Sequence, residues 1–401
     1  MNALEQFLRQ ELEARKAAQL YRQRRVLDGA QQPLRREAGR QLLSFCSNDY
    51  LGLANDARVI AAFREGLECF GAGSGASHLV CGHSLPHHEL EEELAAFTGR
   101  DRALVFSSGY MANVGVLCTL LQRGAEVFED RLNHASLLDG GRFSGARFHR
   151  YTHGDAAALE NQLAAAGGEK RLVVSDGVFS MDGDVAPLAG LQDVARRHGA
   201  WLMIDDAHGF GVLGRNGGGL VEQLREQGTP VDQDSLQVLV GTFGKAFGTT
   251  GAFVAGSEVL IESLVQLCRP YIYTTALPPA AAEATRCSLK LVQEEHWRRE
   301  QLAKLVQRFR QGCAELALPL TDSATPIQAL LLGDAESALR ASAVLEAQGL
   351  LVTAIRPPTV PVGTARLRIT FSATHQESDV DRLLDALAAL KLRAPAGAGA
   401  A

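Results

Sequence analysis

The amino-acid sequence predicts an α/β protein: a large domain on a mainly parallel central sheet, with a smaller C-terminal α+β domain. Three observations predict it. At 401 residues the chain exceeds what one small core supports. Between about residues 100 and 255, short apolar runs alternate with segments of helical periodicity. After Pro278-Pro279 that alternation gives way to a long helical stretch.

The runs are Ala103-Phe106, Ala125-Phe128, Arg147-Tyr151, Leu172-Ser175, Trp201-Asp205, Leu236-Gly241 and Gly251-Ala255. Several are rich in Val, Ile and Leu without polar alternation, the pattern of strands covered on both faces. Between them, Pro187-His198 has helical spacing with proline in its first turn, where a missing N–H is harmless. Together these elements define a large domain over 48–279. An N-terminal segment, 1–47, is expected to hold a helix, with Leu4, Phe7, Leu8 and Leu12 at helical spacing, and a short strand. Residues 280–393 read as a helical stretch Ala280-Ala317, a strand Ile327-Leu332, a helix Ala335-Gln348, strands Leu351-Ile355 and Ala365-Phe371, and a helix Gln376-Leu390. The Ala/Gly tail 394–401 is expected to be disordered.

Composition narrows the function classes. A hydrophobic content of 46% supplies a core, and a net charge of -6 without a Lys/Arg run argues against a nucleic-acid partner. Seven scattered cysteines without a C-x-x-C pair suit a reducing compartment and are expected to be mostly buried thiols. With no signal-like apolar stretch and no membrane-length window, the protein is expected in the cytoplasm, away from membranes.

Ligands of an open parallel sheet collect beyond the carboxyl ends of its strands. Four such ends carry chemistry here. Trp201-Asp205 leads into Asp206-Ala207-His208, Leu236-Gly241 into Thr242-Phe243-Gly244-Lys245, Ala103-Phe106 into Ser107-Ser108-Gly109-Tyr110, and the run before Asp130 into Asn133-His134-Ala135-Ser136. A lysine in a glycine-rich turn after a buried strand becomes a Schiff-base former when desolvation frees its amine. Taken alone, Lys245 also reads as an ordinary surface lysine in a turn, Asp205 as a helix N-cap or half of an Asp-x-x-His metal pair, and His134 as a capping or buried polar residue. Their combination favours pyridoxal phosphate (PLP), which needs a lysine and, in many enzymes, a carboxylate at the pyridine nitrogen. Ser107 to Tyr110, opening a helix, offers free N–H groups to the phosphate.

The motifs Ser47-Asn48-Asp49-Tyr50-Leu51-Gly52, Asp176-Gly177-Val178-Phe179-Ser180-Met181-Asp182-Gly183-Asp184, Asp205-Asp206-Ala207-His208-Gly209 and Thr242-Phe243-Gly244-Lys245-Ala246-Phe247-Gly248 resemble the α-oxoamine synthase family of fold-type I PLP enzymes. The resemblance covers nearly the whole chain. It implies that Lys245 carries the cofactor, Asp205 pairs with the ring nitrogen, His208 hydrogen-bonds the phenolic oxygen, His134 stacks over the ring and Ala207 lies beneath it. Ser180 and Thr242 would position ring or phosphate, Gly109 and Tyr110 would supply backbone donors, and Thr274 or Thr275 would reach the phosphate of a partner subunit in a homodimer. Arg368 would grip the substrate carboxylate, with Asn48 close by, and Arg22, Arg356 and Thr359 would line the acyl side. No resident metal is implied.

Within the family, Ile355-Arg356-Pro357-Pro358-Thr359-Val360-Pro361 and Thr364-Ala365-Arg366-Leu367-Arg368 point to L-alanine and a pimeloyl thioester, carried on CoA or an acyl carrier protein. Rivals within it pair glycine with acetyl-CoA or succinyl-CoA, or serine with a long-chain acyl-CoA. Three positions depart from the family: Ala76 replaces a glycine, His78 stands where many members have arginine, and Asp176 where glutamate is common. Gly71-Ala72-Gly73-Ser74-Gly75-Ala76 also fits a loose dinucleotide-binding pattern, but it follows the helical run Val59-Phe70 instead of a strand. A catalytically dead subunit would be expected to lack the lysine, and a DNA-binding regulator would need a further domain before Asn48.

Overall fold

The computed structural model describes residues 2–18, 20–390 and 392; the expected disordered tail, 394–401, lies outside the described residues. The chain opens with helix α1 (Ala3–Ala17), none of whose residues is buried. Strands β1 (Leu34–Glu37) and β2 (Arg40–Ser44) form a hairpin, and α2 (Ala57–Phe70) and α3 (Leu85–Thr98) follow. Then come β3 (Arg102–Phe106), α4 (Gly109–Leu120), β4 (Glu126–Asp130), α5 (Ala135–Phe143), β5 (Arg147–Tyr151), β6 (Arg171–Asp176), β7 (Trp201–Asp205), β8 (Val238–Thr242) and β9 (Ala252–Gly256).

Strands β3 to β9 make one seven-stranded sheet in the order β3-β9-β8-β7-β6-β4-β5. All pairings are parallel except those of β9, which runs against both β3 and β8. The missing alternation in the apolar runs has a direct cause. Met203 of β7 packs with one core cluster while its neighbours Leu202 and Ile204 pack with the opposite one. In β6, Leu172 and Val174 face the first cluster and Val173 the second. Burying every residue of such a strand contributes about 1.5–3 kcal/mol for each large aliphatic side chain.

A second sheet of three strands follows, with order β10-β13-β12 for β10 (Ile327–Gly333), β11 (Leu350–Leu351), β12 (Thr353–Ile355) and β13 (Ala365–Thr370), because β11 is absorbed elsewhere. It pairs parallel with β2, so the N-terminal hairpin is completed by the C-terminal part of the chain. The expected single strand Leu351-Ile355 is thus divided between two sheets at Val352. The expected continuous helix Ala280-Ala317 is likewise two helices, Pro279–Glu294 and His296–Glu315, broken at Glu295. Glu295 sits at the break because its carboxylate takes Arg58 at 2.7 Å and Arg298 at 2.7 Å.

Two further expectations need correction. Only Cys268 and Cys313 of the seven cysteines are buried, and Cys69 and Cys81 are exposed, one on the outer face of α2 and one on a π-helical turn, His78–Gly82. The sequence also reads Arg22 as lying in a helix with Arg24 and Arg25, and it does not. α1 ends at Ala17, and Arg25 is drawn away to an ion-pair cluster with Glu37 and Glu346, which keeps residues 20–27 irregular. Among the described residues no helix is long and apolar enough to cross a membrane.

Candidate functional site

Four strand ends of the large sheet converge as expected. Lys245 sits in the turn after β8, half-buried. The turn is anchored by Thr242, whose hydroxyl donates to the Gly251 carbonyl of the β8–β9 connection at 2.9 Å and accepts from the Gly244 N–H at 3.3 Å. Gly248 closes it with φ +66°, and a Cβ there would fall 2.2 Å from the Ala54 nitrogen. Only glycine meets both demands. Burial pulls the Lys245 ammonium down to about 8, against the opposing charges of Asp205 and Asp176. An amine at that value is partly unprotonated near neutrality.

Asp205 ends β7 and is 6% exposed. Its two oxygens are separately assigned: Oδ1 accepts from the Ala207 N–H at 3.0 Å and Oδ2 from Asn113 Nδ2 at 2.6 Å. No helix begins at Ala207, so the N-cap alternative falls away, and Asp205 and His208 form no metal-ligand cluster among the described residues. Asn113 also donates to Ser136 Oγ at 2.9 Å, and that hydroxyl meets His134 Nδ1 at 2.7 Å. A continuous chain therefore links His134, Ser136, Asn113 and Asp205. His134 does cap α5, with Nδ1 facing the Ser136 N–H at 3.3 Å, yet its residue remains exposed. Its backbone N–H donates to Asp176 at 2.7 Å, which is where the shorter carboxylate at 176 reaches.

A second chain starts at His208, 7% exposed, whose Nδ1 meets the Tyr50 hydroxyl at 2.7 Å. Burial and the Lys245 charge hold His208 well below the usual histidine range, so the ring is neutral. Burial raises Tyr50 to about 12, keeping it a hydrogen donor. The Tyr50 hydroxyl thus holds the ring through Nδ1, and Nε2 has no protein partner among the described residues. Tyr50 lies 3.2 Å from Asn48 Oδ1, which accepts from Arg368 Nη2 at 3.1 Å. Arg368, on β13, is 8% exposed and sends Nε to the Ser180 carbonyl at 2.6 Å. The solvent-facing alternative for Arg368 is excluded, and two of its prongs are held by protein. Ser180 reaches this site through its carbonyl.

At the start of α4, Ser108 caps the helix by accepting from the Met111 N–H. Among the described residues the N–H groups of Gly109 and Tyr110 have no protein acceptor. Tyr110 turns its hydroxyl to Asp139, and Ser107 Oγ donates to the Thr275 carbonyl at 3.3 Å. Thr275 pairs with Ser77 in an isolated bridge and is exposed. A tunable amine, a fixed carboxylate, a neutral imidazole and a pair of free N–H groups at a helix start together suit the amine-reactive carbon, ring nitrogen, phenolic oxygen and phosphate of PLP. The residues present fit that cofactor.

Arg22, Arg356 and Thr359 lie on a different surface. Arg356 Nη2 donates to the Tyr21 carbonyl at 3.1 Å, which brings the Arg22 stretch alongside. Arg22 and Thr359 are exposed. Sequence reasoning missed Asn113, Tyr50 and Ser136 as members of the site. The one available signal was an asparagine within the otherwise apolar helix Gly109–Leu120. Gly71 to Ala76 follows α2 and leads into a π-helical turn, which removes the dinucleotide alternative.

The family model for aminotransferase class I and II fits residues 40–387. The chain is 60% identical over 380 residues to 8-amino-7-oxononanoate synthase of Pseudomonas savastanoi pv. phaseolicola, covering 95% of this chain and 94% of that relative. It superposes on a serine palmitoyltransferase variant of S. paucimobilis with a bound PLP-myriocin aldimine at TM-score 0.90 and 33% identity, over 97% and 98% of the two chains. The 8-amino-7-oxononanoate synthase of Francisella tularensis matches at TM-score 0.75 and 30% identity, over 87% and 97%. Fold and cofactor follow together: this is a fold-type I enzyme that uses pyridoxal 5'-phosphate, and the chain belongs to the aminotransferase class I and II family.

Proposed function

We propose that the protein joins L-alanine to a pimeloyl thioester on CoA or an acyl carrier protein, releasing CO2 and the free thiol to give 8-amino-7-oxononanoate, an early step of biotin synthesis. The observation that carries this reading is the tuned Lys245 amine facing the fixed Asp205 carboxylate at adjacent strand ends, in a chain so similar to synthases of that name.

When bound, PLP supplies an electron sink at the amino acid's α-carbon, used once as a proton leaves and once as CO2 leaves. The chain's residues do the rest. Lys245 Nζ, with its proton affinity lowered to about 8, takes the α-proton of alanine and returns one after decarboxylation. Asp205, aimed by Asn113, would favour the protonated ring nitrogen, and His208 would hydrogen-bond the phenolic oxygen. His134 and Ala207 would flank the ring. Gly109 and Tyr110 would hold the phosphate with their N–H groups, assisted by Thr275 across a homodimer interface. Arg368 takes the alanine carboxylate on the prong left free by Ser180 and Asn48. On the acyl side, Arg22 and Arg356 offer cations to the distal carboxylate of the pimeloyl chain, and Thr359 flanks them. This reaction suits the cytoplasm, where thioester donors and reduced thiols coexist.

The test is a side-by-side turnover assay of L-alanine with pimeloyl-CoA and with pimeloyl carrier protein, glycine with acetyl-CoA, and serine with palmitoyl-CoA. The alanine pair is expected to give the highest kcat/KM. Turnover confined to glycine or serine overturns the assignment. Light scattering of the holoenzyme is expected to report a dimer.

A further inference from the structure

Away from the strand-end site, three histidines meet where the π-helical turn His78–Gly82 runs into α3. One ring nitrogen from each of His78, His83 and His87 lies within 4.8 Å of the others. The Nδ1 atoms of His78 and His83 are 2.9 Å apart. Such a contact needs a lone pair on one of the two rings, so the pair is never doubly protonated while it lasts. His87 is fully buried, and its Nε2 proton goes to the Leu277 carbonyl at 2.5 Å, which leaves its lone pair on Nδ1. A backbone carbonyl that takes the outer N–H of an imidazole is the arrangement that orients metal-binding histidines. His78 is fixed from the other side, stacked on Tyr271 with ring centroids 4.8 Å apart and planes at 12°. His83 is the exposed member and provides the way in.

We propose that His78, His83 and His87 form a binding site for a first-row divalent cation of the Zn2+ class, with three imidazole nitrogens as ligands and a fourth position open beside His83. Among the described residues no carboxylate belongs to the cluster, and nitrogen-only donors select zinc, copper or nickel over magnesium or calcium. Tetrahedral zinc places its nitrogens roughly 3.3 Å apart, so the exposed His83 ring must close in while the two packed rings stay. Binding replaces the contact between the two Nδ1 atoms. One ring moves its proton from Nδ1 to Nε2, and the Ser84 N–H and hydroxyl, 3.1 Å and 3.0 Å from His87 Nδ1, give up that lone pair to the ion. No net proton is released.

The site bridges two segments. Ser74 Oγ also donates to the Leu277 carbonyl at 2.6 Å, the Ala276 N–H donates to the Ala76 carbonyl at 3.0 Å, and Ser77 pairs with Thr275. An ion held by the three histidines therefore staples residues 74–87 to residues 275–277. The sequence departure at His78 then acquires a chemical role.

The experiment uses the holoenzyme, treated with EDTA and dialysed, then titrated with Co2+ while its d–d absorption is followed, with Zn2+ as competitor. One Co2+ per chain is expected, displaced by Zn2+. His83→Gln and His78→Gln are each expected to weaken Co2+ binding on the order of 100-fold, with the bound-PLP absorbance confirming that each variant is folded. His83 is exposed, so its variant in particular leaves the fold undisturbed. Absence of saturable one-to-one binding, or unchanged affinity in folded His83→Gln, overturns the proposal.

Discussion

The strand-end region around Lys245 and the surface around Arg356, the proposed acyl side, are built in opposite ways. In the first, Asp205, His208 and Arg368 are buried and each has a named partner: Asp205 through Asn113, His208 through Tyr50, Arg368 through Ser180 and Asn48. In the second, Arg22 and Thr359 are exposed, and one hydrogen bond from Arg356 to the Tyr21 carbonyl ties the surfaces together. The difference teaches where precision is invested. Under the proposed function, chemistry at the α-carbon demands fixed geometry and tuned charge, whereas a flexible acyl chain would be met by adaptable surface groups.

Replacing Lys245 should have the largest effect. Lys245→Ala is expected to lower alanine α-proton exchange in heavy water by about 1,000-fold or more, and a loss below tenfold would break the contrast at its centre. Asp205→Asn should cost on the order of 100-fold in kcat. Because the Asp205 charge raises the Lys245 value, the variant's pH profile should also move its amine limb downward from about 8. Removing the aiming residue alone, Asn113→Ala, is expected to lower kcat about tenfold, the equivalent of about 1.4 kcal/mol for a hydrogen bond to a charged group. On the other surface, Arg22→Ala should raise KM for the thioester up to about fivefold with kcat unchanged, as suits an exposed charge. A larger fall in kcat there would erase the distinction.

The smallest effect concerns stability. Asp206 is fully buried, accepts from the Leu220 N–H at 2.7 Å, and is raised by burial to about 8. The folded state keeps a proton that the unfolded chain releases near 3.8, so this group's contribution is full below about 4 and is lost as pH climbs to about 8. Asp206→Asn, which does not titrate, should flatten the decline of Tm between those limits; an unchanged slope would show that Asp206 is ionised throughout.

The strands were legible because burial on both faces erases polar alternation, and the active strand ends were legible because they follow those runs. Direction was not: Gly251-Ala255 reads the same whether it runs with or against its neighbours, so the antiparallel β9 left no trace. Residue type likewise named Lys245, Asp205, His208 and His134, but the linking residues Asn113, Tyr50 and Ser136 belong to the site only through folding of distant segments. The cysteine expectation failed for a related reason: Cys69 and Cys81 occupy outward positions that no count of thiols reveals. The histidine cluster stayed hidden because a π-helical turn brings together residues that ordinary helical spacing would separate.

Strand β11, laid beside β2, bears on how the protein is made. Cys46 and Leu351 touch although 305 positions separate them. At about 5–20 residues per second, a ribosome needs roughly 15 to 60 s to travel that stretch. The seven strands from residues 102 to 256 can emerge and pair within that interval, while the hairpin of β1 and β2 waits with one edge open. Strands β1 and β2 are thus sealed only once β11 has emerged, and until then the nascent chain carries an unpaired β edge.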